Sequence, residues 1–415
     1  MRKENFHIHS FPSGLRMVFR ATSDSQVAHC CVVVQAGSRD ETEEENGMAH
    51  FLEHLLFKGT HKRKSHHILS RIENVGGEIN AYTSKEYTCL HSSFLKEHLN
   101  RGVDLLADIF TNSSFPEREL NKEKGVIVDE IDSYKDQPEE QINDDFEDIL
   151  YAGHAMGRNI LGTEESVNSF TTDQVKAFVS RNYLPEKTVV AIDGPFTIQK
   201  AIKVVEKYFG HLKPSTQVQN RSLITPYKPI TRTEERNAFQ AHCIIGTRGY
   251  DLHHELKYPL FLMNDVLGGP GMSSRLNMQI REKYGYTYHI ESSFQPYSDT
   301  GNFNIYLGTD WNKLQRAITL VKKELKLLRE KPLGVLQLKI ARQKLTGQIA
   351  LGEENRVGGI ISLARSLLVY DDIEPLETII KKIENISATD VMEVANQLLI
   401  EDQLSMLAFK PTQEN

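Results

Sequence analysis

The sequence is poor in cysteine and contains no long apolar run. Four cysteines, Cys30, Cys31, Cys89 and Cys243, occur in 415 residues. Two are adjacent and none makes a CxxC pair, which argues against both a disulfide scaffold and a cysteine zinc site. They read as small apolar core residues of a reduced compartment. No apolar stretch approaches the roughly 18 residues that a membrane span needs. The first residues, "MRKENFHIHSFPSGLRMVF", hold no apolar signal core. The expectation is therefore a cytoplasmic protein with no membrane partner. An excess of basic charge is also missing: 49 Lys and Arg stand against 56 Asp and Glu, a formal net charge of −7. Without a basic, aromatic-studded stripe, nucleic acid is not an expected partner. The glycine-rich stretch "GGPGMSSRL" (268–276) lacks the Lys-Ser/Thr pair of a nucleotide P-loop. It reads as a loop leading into a helix capped by Ser273 or Ser274 and ended by Gly285.

What is present suffices for sizeable cores. Apolar residues make up 39% and charged residues 25% of the chain, and the length suggests two or three domains. Helix and strand signals mix throughout. "QVAHCCVVVQAG" is short, β-branched and closed by Gly37, as a buried strand would be. "HHILSRIENVGG" reads as a helix ended by Gly76 and Gly77, "EINAYTSKEYTCLHSSF" as a hairpin, and "LKEHLNRGVDLLADIFTN" as a long amphipathic helix. The stretch from Leu212 to Arg232 carries three prolines and little periodicity, which marks a linker at 214–233 between domains at 1–213 and 234–415. Beyond it "FQAHCIIGTRGYD" echoes "QVAHCCVVVQAGSRD" of the first half. That echo predicts two related α+β domains, each a mostly antiparallel sheet packed with helices.

The chemistry is concentrated in "AHFLEHLLFKGT", residues 49–60. Positions four apart share one face of a helix, so His50 and His54 can direct both imidazoles at one ion. Glu53 lies beside that face and can reach a water held there. A catalytic zinc takes neutral nitrogens and often a carboxylate, and keeps one position open for water. A carboxylate that accepts the proton of that water completes the equipment of a hydrolase. A histidine pair alone is more often a surface accident, since the chain has 16 histidines. The intervening glutamate, and the apolar Phe51, Leu52, Leu55, Leu56 and Phe57 around it, argue for a helix packed on both sides.

A third ligand should come from another segment. The helix-like "LNKEKGVIVDEIDSYKD" places Glu123 and Glu130 seven residues apart, nearly two turns and so on one face. Val126, Ile127 and Ile131 would give them a partly buried setting. One carboxylate could ligate and the other could hold a ligand histidine from behind. Spacing alone does not decide which.

HFLEH with a downstream helical glutamate resembles the pitrilysin/insulinase family of zinc peptidases, the inverzincins, and in particular its shorter branch with mitochondrial processing peptidase and bacterial relatives. The resemblance extends to "GSRDE" before the motif, "GGEINAYTSKEYT" after it, "LGTEES" near residue 165 and "GGPGMSSRLNMQIREKYGYTY" in the second half. It implies one Zn2+ per chain held by His50, His54 and Glu130, the last about 76 positions after the second histidine. Glu123 would support it, and Glu53 would be the general base. The second half has no HxxEH.

The resemblance also implies how a peptide is held. Ile79, Ala81 and Thr83 alternate with Asn80 and Tyr82 as a strand does, and Asn80 and Ala81 would lie on an edge that adds the substrate backbone to the sheet. Arg281 would hold substrate and Tyr288 would donate to the oxyanion. Both would reach the zinc site of the other subunit of a homodimer. The implied function is endopeptidase action on unfolded peptides that fit an enclosed chamber. The alternatives are a non-catalytic subunit of the same fold and a presequence-processing peptidase.

Overall fold

The computed structural model describes residues 6–215, 217 and 221–412; the expected linker at 214–233 lies partly outside them. The chain forms two compact units. The first comprises 1–131, 159–222 and 351–376, the second 132–158, 223–350 and 377–415. Neither is contiguous in sequence, whereas the sequence reading draws a single boundary across 214–233.

The sheet of the first unit has six strands: β1 (Phe6–Ser10), β2 (Arg16–Ala21), β3 (Val27–Val34), β4 (Glu78–Thr83), β5 (Thr88–Leu95) and β6 (Thr188–Gly194). Their order is β1-β2-β6-β3-β5-β4. β2 and β6 run parallel and all other neighbours antiparallel. β3 lies in the middle and is covered on both faces, which explains the apolar run from Cys30 to Val34. Ala28, Cys30, Val32 and Val34 enter the larger core, and Cys31 and Val33 the opposite one. The adjacent cysteines therefore point to opposite sides, as strand pleating requires. All four cysteines are buried thiols.

The second sheet has β7 (Thr231–Arg236), β8 (Ala241–Gly249), β9 (His289–Pro296), β10 (Gly301–Thr309) and β11 (Ser405–Pro411), in the order β7-β11-β8-β10-β9. β7 and β11 are parallel and the other pairs antiparallel. This repeats the order and directions of β2-β6-β3-β5-β4. The two echoing stretches, around "AHCCVVV" and "AHCIIGT", form the corresponding central strands β3 and β8. Two related mostly antiparallel sheets packed with helices are the architecture expected from the sequence.

Each unit takes a covering helix from a distant part of the sequence. The outer face of the first sheet, with Val18, Cys31, Val33, Cys89, Val189 and Ala191, is covered by helix Arg356–Tyr370 through Ile360, Ile361, Ala364, Leu367 and Leu368. Arg356 and Arg20 anchor that helix to Asp193, which is fully buried. Conversely, helix Pro138–Leu150 covers Ile244, Tyr306, Leu407 and Phe409 of the second sheet with Ile142, Phe146, Ile149 and Leu150. Among the described residues no helix is long and apolar enough to cross a membrane.

Candidate metal centre

The inner face of the first sheet carries α1 (Met48–Leu55), α2 (Ser65–Glu73) and α3 (Leu99–Asn112), followed by α4 (Glu117–Lys135). α1 holds His50, Glu53 and His54. Phe51, Leu52, Leu55 and Leu56 are buried and Phe57 packs against the same core, so the helix is gripped around most of its circumference. Its start is fixed as well. Gly47 has φ +92, and a Cβ there would meet the Leu161 carbonyl oxygen at 2.6 Å. Only glycine fits that approach and that conformation. Ser166 Oγ donates to the Asn46 carbonyl at 2.7 Å. "LGTEES" thus braces the turn into α1. The Glu41 carboxylate of "GSRDE" accepts the amides of Gly47 and Ala49 at 2.9 and 2.8 Å, satisfying donors that a helix start leaves open. In the same loop Asp40 is held by Arg221 at 2.9 Å, and Arg39 meets Glu86 at 2.6 Å.

His50 and His54 stand one turn apart with ring centroids 4.8 Å from each other. Glu130 on α4 faces both. Its carboxylate oxygens lie 3.8 Å from His50 Nε2 and 3.6 Å from His54 Nε2. One ligand atom from each of the three falls within 4.8 Å of the others, the one such group among the described residues. The N···O separations are too long for hydrogen bonds. They are close to the roughly 3.3 Å that separates two ligand atoms sharing a tetrahedral zinc at about 2.0–2.1 Å. Burial, and then the neighbouring His54, lower the His50 pKa to about 4, so its lone pair is free at neutral pH. The donor set fits zinc.

Glu123 points at the centre from behind. Its Oε2 lies 3.3 Å from His54 Nδ1 and its Oε1 2.6 Å from Lys58 Nζ. Geometry thus separates the two carboxylates that spacing left equivalent: Glu130 joins the two Nε2 atoms, and buried Glu123 backs His54. Val126, expected to be partly buried, is 48% exposed, while Ile127 and Ile131 are buried. The side of α4 that meets the core is narrower than the apolar residues suggest.

Glu53 is half-buried. Burial raises its carboxyl above the ordinary value, against the opposing pull of the Thr83 hydroxyl and of His54. Thr83 ends β4, whose one partner among the described strands is β5, so β4 is an edge strand. Asn80 on it is exposed and Ala81 is buried. The Asn80 side-chain oxygen accepts the Ala81 amide at 2.8 Å. Lys58, Thr83 and Glu41 were not singled out in the sequence. Each acts on a partner supplied by another element, and Lys58, four residues after His54, is the one that helical spacing could have flagged.

In the second unit Arg281 lies on a π-helical segment, Asn277–Glu282, and Gly285 follows with φ +60. Such segments recur at functional sites. Arg281 is exposed and Tyr288 is 75% exposed just before β9. In the preceding loop, a Cβ at Gly268 would meet the Ser292 amide at 2.6 Å and one at Gly269 the Asp265 Cα at 2.7 Å. These two glycines serve close packing.

Residues 16–164 match the family description "Insulinase (Peptidase family M16)", and residues 169–345 match "Peptidase M16 inactive domain". A curated relative from Bacillus subtilis, uncharacterized zinc protease YmxG, is 34% identical over 94% of this chain and 95% of its own length. The chain belongs to peptidase family M16. An uncharacterized zinc protease of Streptomyces coelicolor is 33% identical over 94% of this chain and 86% of its own. Among solved structures, a Helicobacter pylori protease superposes with a TM-score of 0.91 at 21% identity, covering 99% of this chain and all of its own. An M16 inactive domain from Pseudomonas fluorescens gives 0.90 at 21%, covering 99% of both chains. These structures share the M16 fold. The His50, His54 and Glu130 centre lies within the part matched to the insulinase description, and the part matched to the inactive domain includes Arg281 and Tyr288.

Proposed function

We propose that this M16 chain is a zinc-dependent endopeptidase acting on extended peptides. The observation that carries the reading is the convergence of His50, His54 and Glu130 on one point, with the half-buried carboxylate of Glu53 on the same helix. His50, His54 and Glu130 would hold the ion. Zinc, when bound, brings the pKa of a coordinated water towards ~7 and polarises a carbonyl oxygen.

The remaining work belongs to the side chains. Glu53 takes the proton of the attacking water and returns it to the leaving amine, a task suited to a carboxyl whose pKa burial has raised. Glu123 accepts from His54 Nδ1, which would leave Nε2 turned to hold the ion. An extended peptide adds to β4, and the Ala81 amide, satisfied by its neighbour Asn80, is the donor it would take over. The family resemblance supports two further roles. Arg281 would bind substrate and Tyr288 would donate to the oxyanion, each from the second subunit of a homodimer. Unfolded peptides small enough for an enclosed chamber are the substrates this reading names.

Cleavage of a quenched fluorescent peptide of about twenty residues tests the proposal. Activity should vanish with a zinc chelator and return on adding zinc. Activity that persists in a protein shown to be metal-free would refute it.

A further inference from the structure

The mechanism above makes no use of Lys58, which nevertheless makes one of the shortest ion pairs near the centre. It lies just past α1, one turn beyond His54, with its amide donating to the Leu55 carbonyl at 3.0 Å. The next residue, Gly59, accepts from the Ser114 amide at 3.1 Å in the connection between α3 and α4. The backbone under Lys58 is therefore tied to the segment that leads into α4. From there Nζ reaches Glu123 Oε1 at 2.6 Å, while Oε2 of the same carboxylate faces His54 Nδ1 at 3.3 Å.

Glu123 is 5% exposed. A carboxylate that deeply placed is costly unless it is paired. His54 cannot supply the charge, because a metal-ligating imidazole is neutral. Three carboxylates, Glu53, Glu123 and Glu130, surround the centre, one more negative charge than a zinc dication balances. Lys58 supplies a positive charge at Glu123.

Resting on the reading of the metal centre above, we propose that Lys58 is a positioning residue for zinc: it holds the Glu123 carboxylate in place, so that Glu123 in turn would fix the His54 ring with Nε2 towards the ion. The ion pair is thus part of the metal site and not only a tie between α1 and α4.

The test is zinc affinity of the full chain, measured by competition with a fluorescent chelator, alongside the melting temperature of the metal-free proteins. Lys58→Met should weaken zinc binding about tenfold, within the range expected for loss of an outer partner. Lys58→Arg, which keeps the charge, should stay within about threefold of wild type. Lys58→Met combined with Glu123→Gln should bind no more weakly than Glu123→Gln alone, since both act through one carboxylate. If Lys58→Met lowers only the melting temperature and binds zinc as wild type does, the pair is a structural tie and the inference is overturned. Should that variant fail to fold, Lys58→Gln asks the same question of the charge. Failure of wild type itself to bind zinc would overturn the metal-centre reading, and this inference with it.

Discussion

Nδ1 of His54 lies 3.3 Å from Oε2 of Glu123, while Nε2 of the same ring lies 3.6 Å from Glu130. One imidazole is thus held at one nitrogen and offered at the other. Glu123→Gln keeps the shape but replaces a charged acceptor with an amide. Zinc affinity is expected to fall about 10–100-fold, measured by chelator competition. Unchanged affinity would remove Glu123 from the site.

Helix Arg356–Tyr370 is a structural part of the first unit even though it arrives late in the sequence. Leu367 in its buried face is 1% exposed. Leu367→Ala is expected to cost about 2–5 kcal/mol through lost burial and the cavity left behind. Urea denaturation followed by a probe on the first unit should show an earlier midpoint. Zinc bound per folded chain should not change.

Acid should weaken the first unit through His29. Burial, then Arg356, Arg20 and His91, lower its pKa to about 4, below the roughly 6.5 of an unfolded histidine. Between those values the unfolded chain binds more protons, so stability falls as the pH drops from about 6.5 towards 4 and is flat above. His50 shares this window, so the informative quantity is the difference between wild type and His29→Gln. The variant should lose less stability from pH 7 to pH 5, read by chemical denaturation at each pH.

If the site is completed across a dimer, His50→Ala and Arg281→Ala proteins should each be inactive alone. Mixed under conditions that exchange subunits, they should recover about a quarter of wild-type activity, because half the dimers are mixed and each has one intact site. No recovery despite demonstrated exchange would exclude the arrangement in trans.

Much of this fold was legible because its strands and helices announce themselves locally. β3 reads as a buried strand from "AHCCVVV", and its echo in β8 foretold the repeated sheet. α1 was recognisable from histidines four apart flanked by apolar residues. Which sheet each of these two helices covers was not legible, because the apolar faces of Pro138–Leu150 and Arg356–Tyr370 state that something must be covered and not which sheet. The same limit applied within the site. Helical spacing put Glu123 and Glu130 on one face and could not rank them. Family resemblance ranked them; in the structure Glu130 faces both Nε2 atoms and Glu123 faces His54 Nδ1. Thr83 escaped because its role depends on an element 30 residues away in the chain, and helical spacing could set Lys58 beside His54 but could not name its partner, 65 residues on.

The central claim is that the stretch from His50 to His54 is a catalytic metal centre with Glu53 as its base. The most direct measurement compares wild type with Glu53→Gln for zinc content and for cleavage of the quenched peptide. Both proteins should hold about one zinc per chain, and only wild type should cut, with the variant slower by at least the 10²–10⁴-fold typical of losing a general base. Equal cleavage by the two proteins, or wild type that binds no metal, would contradict the account.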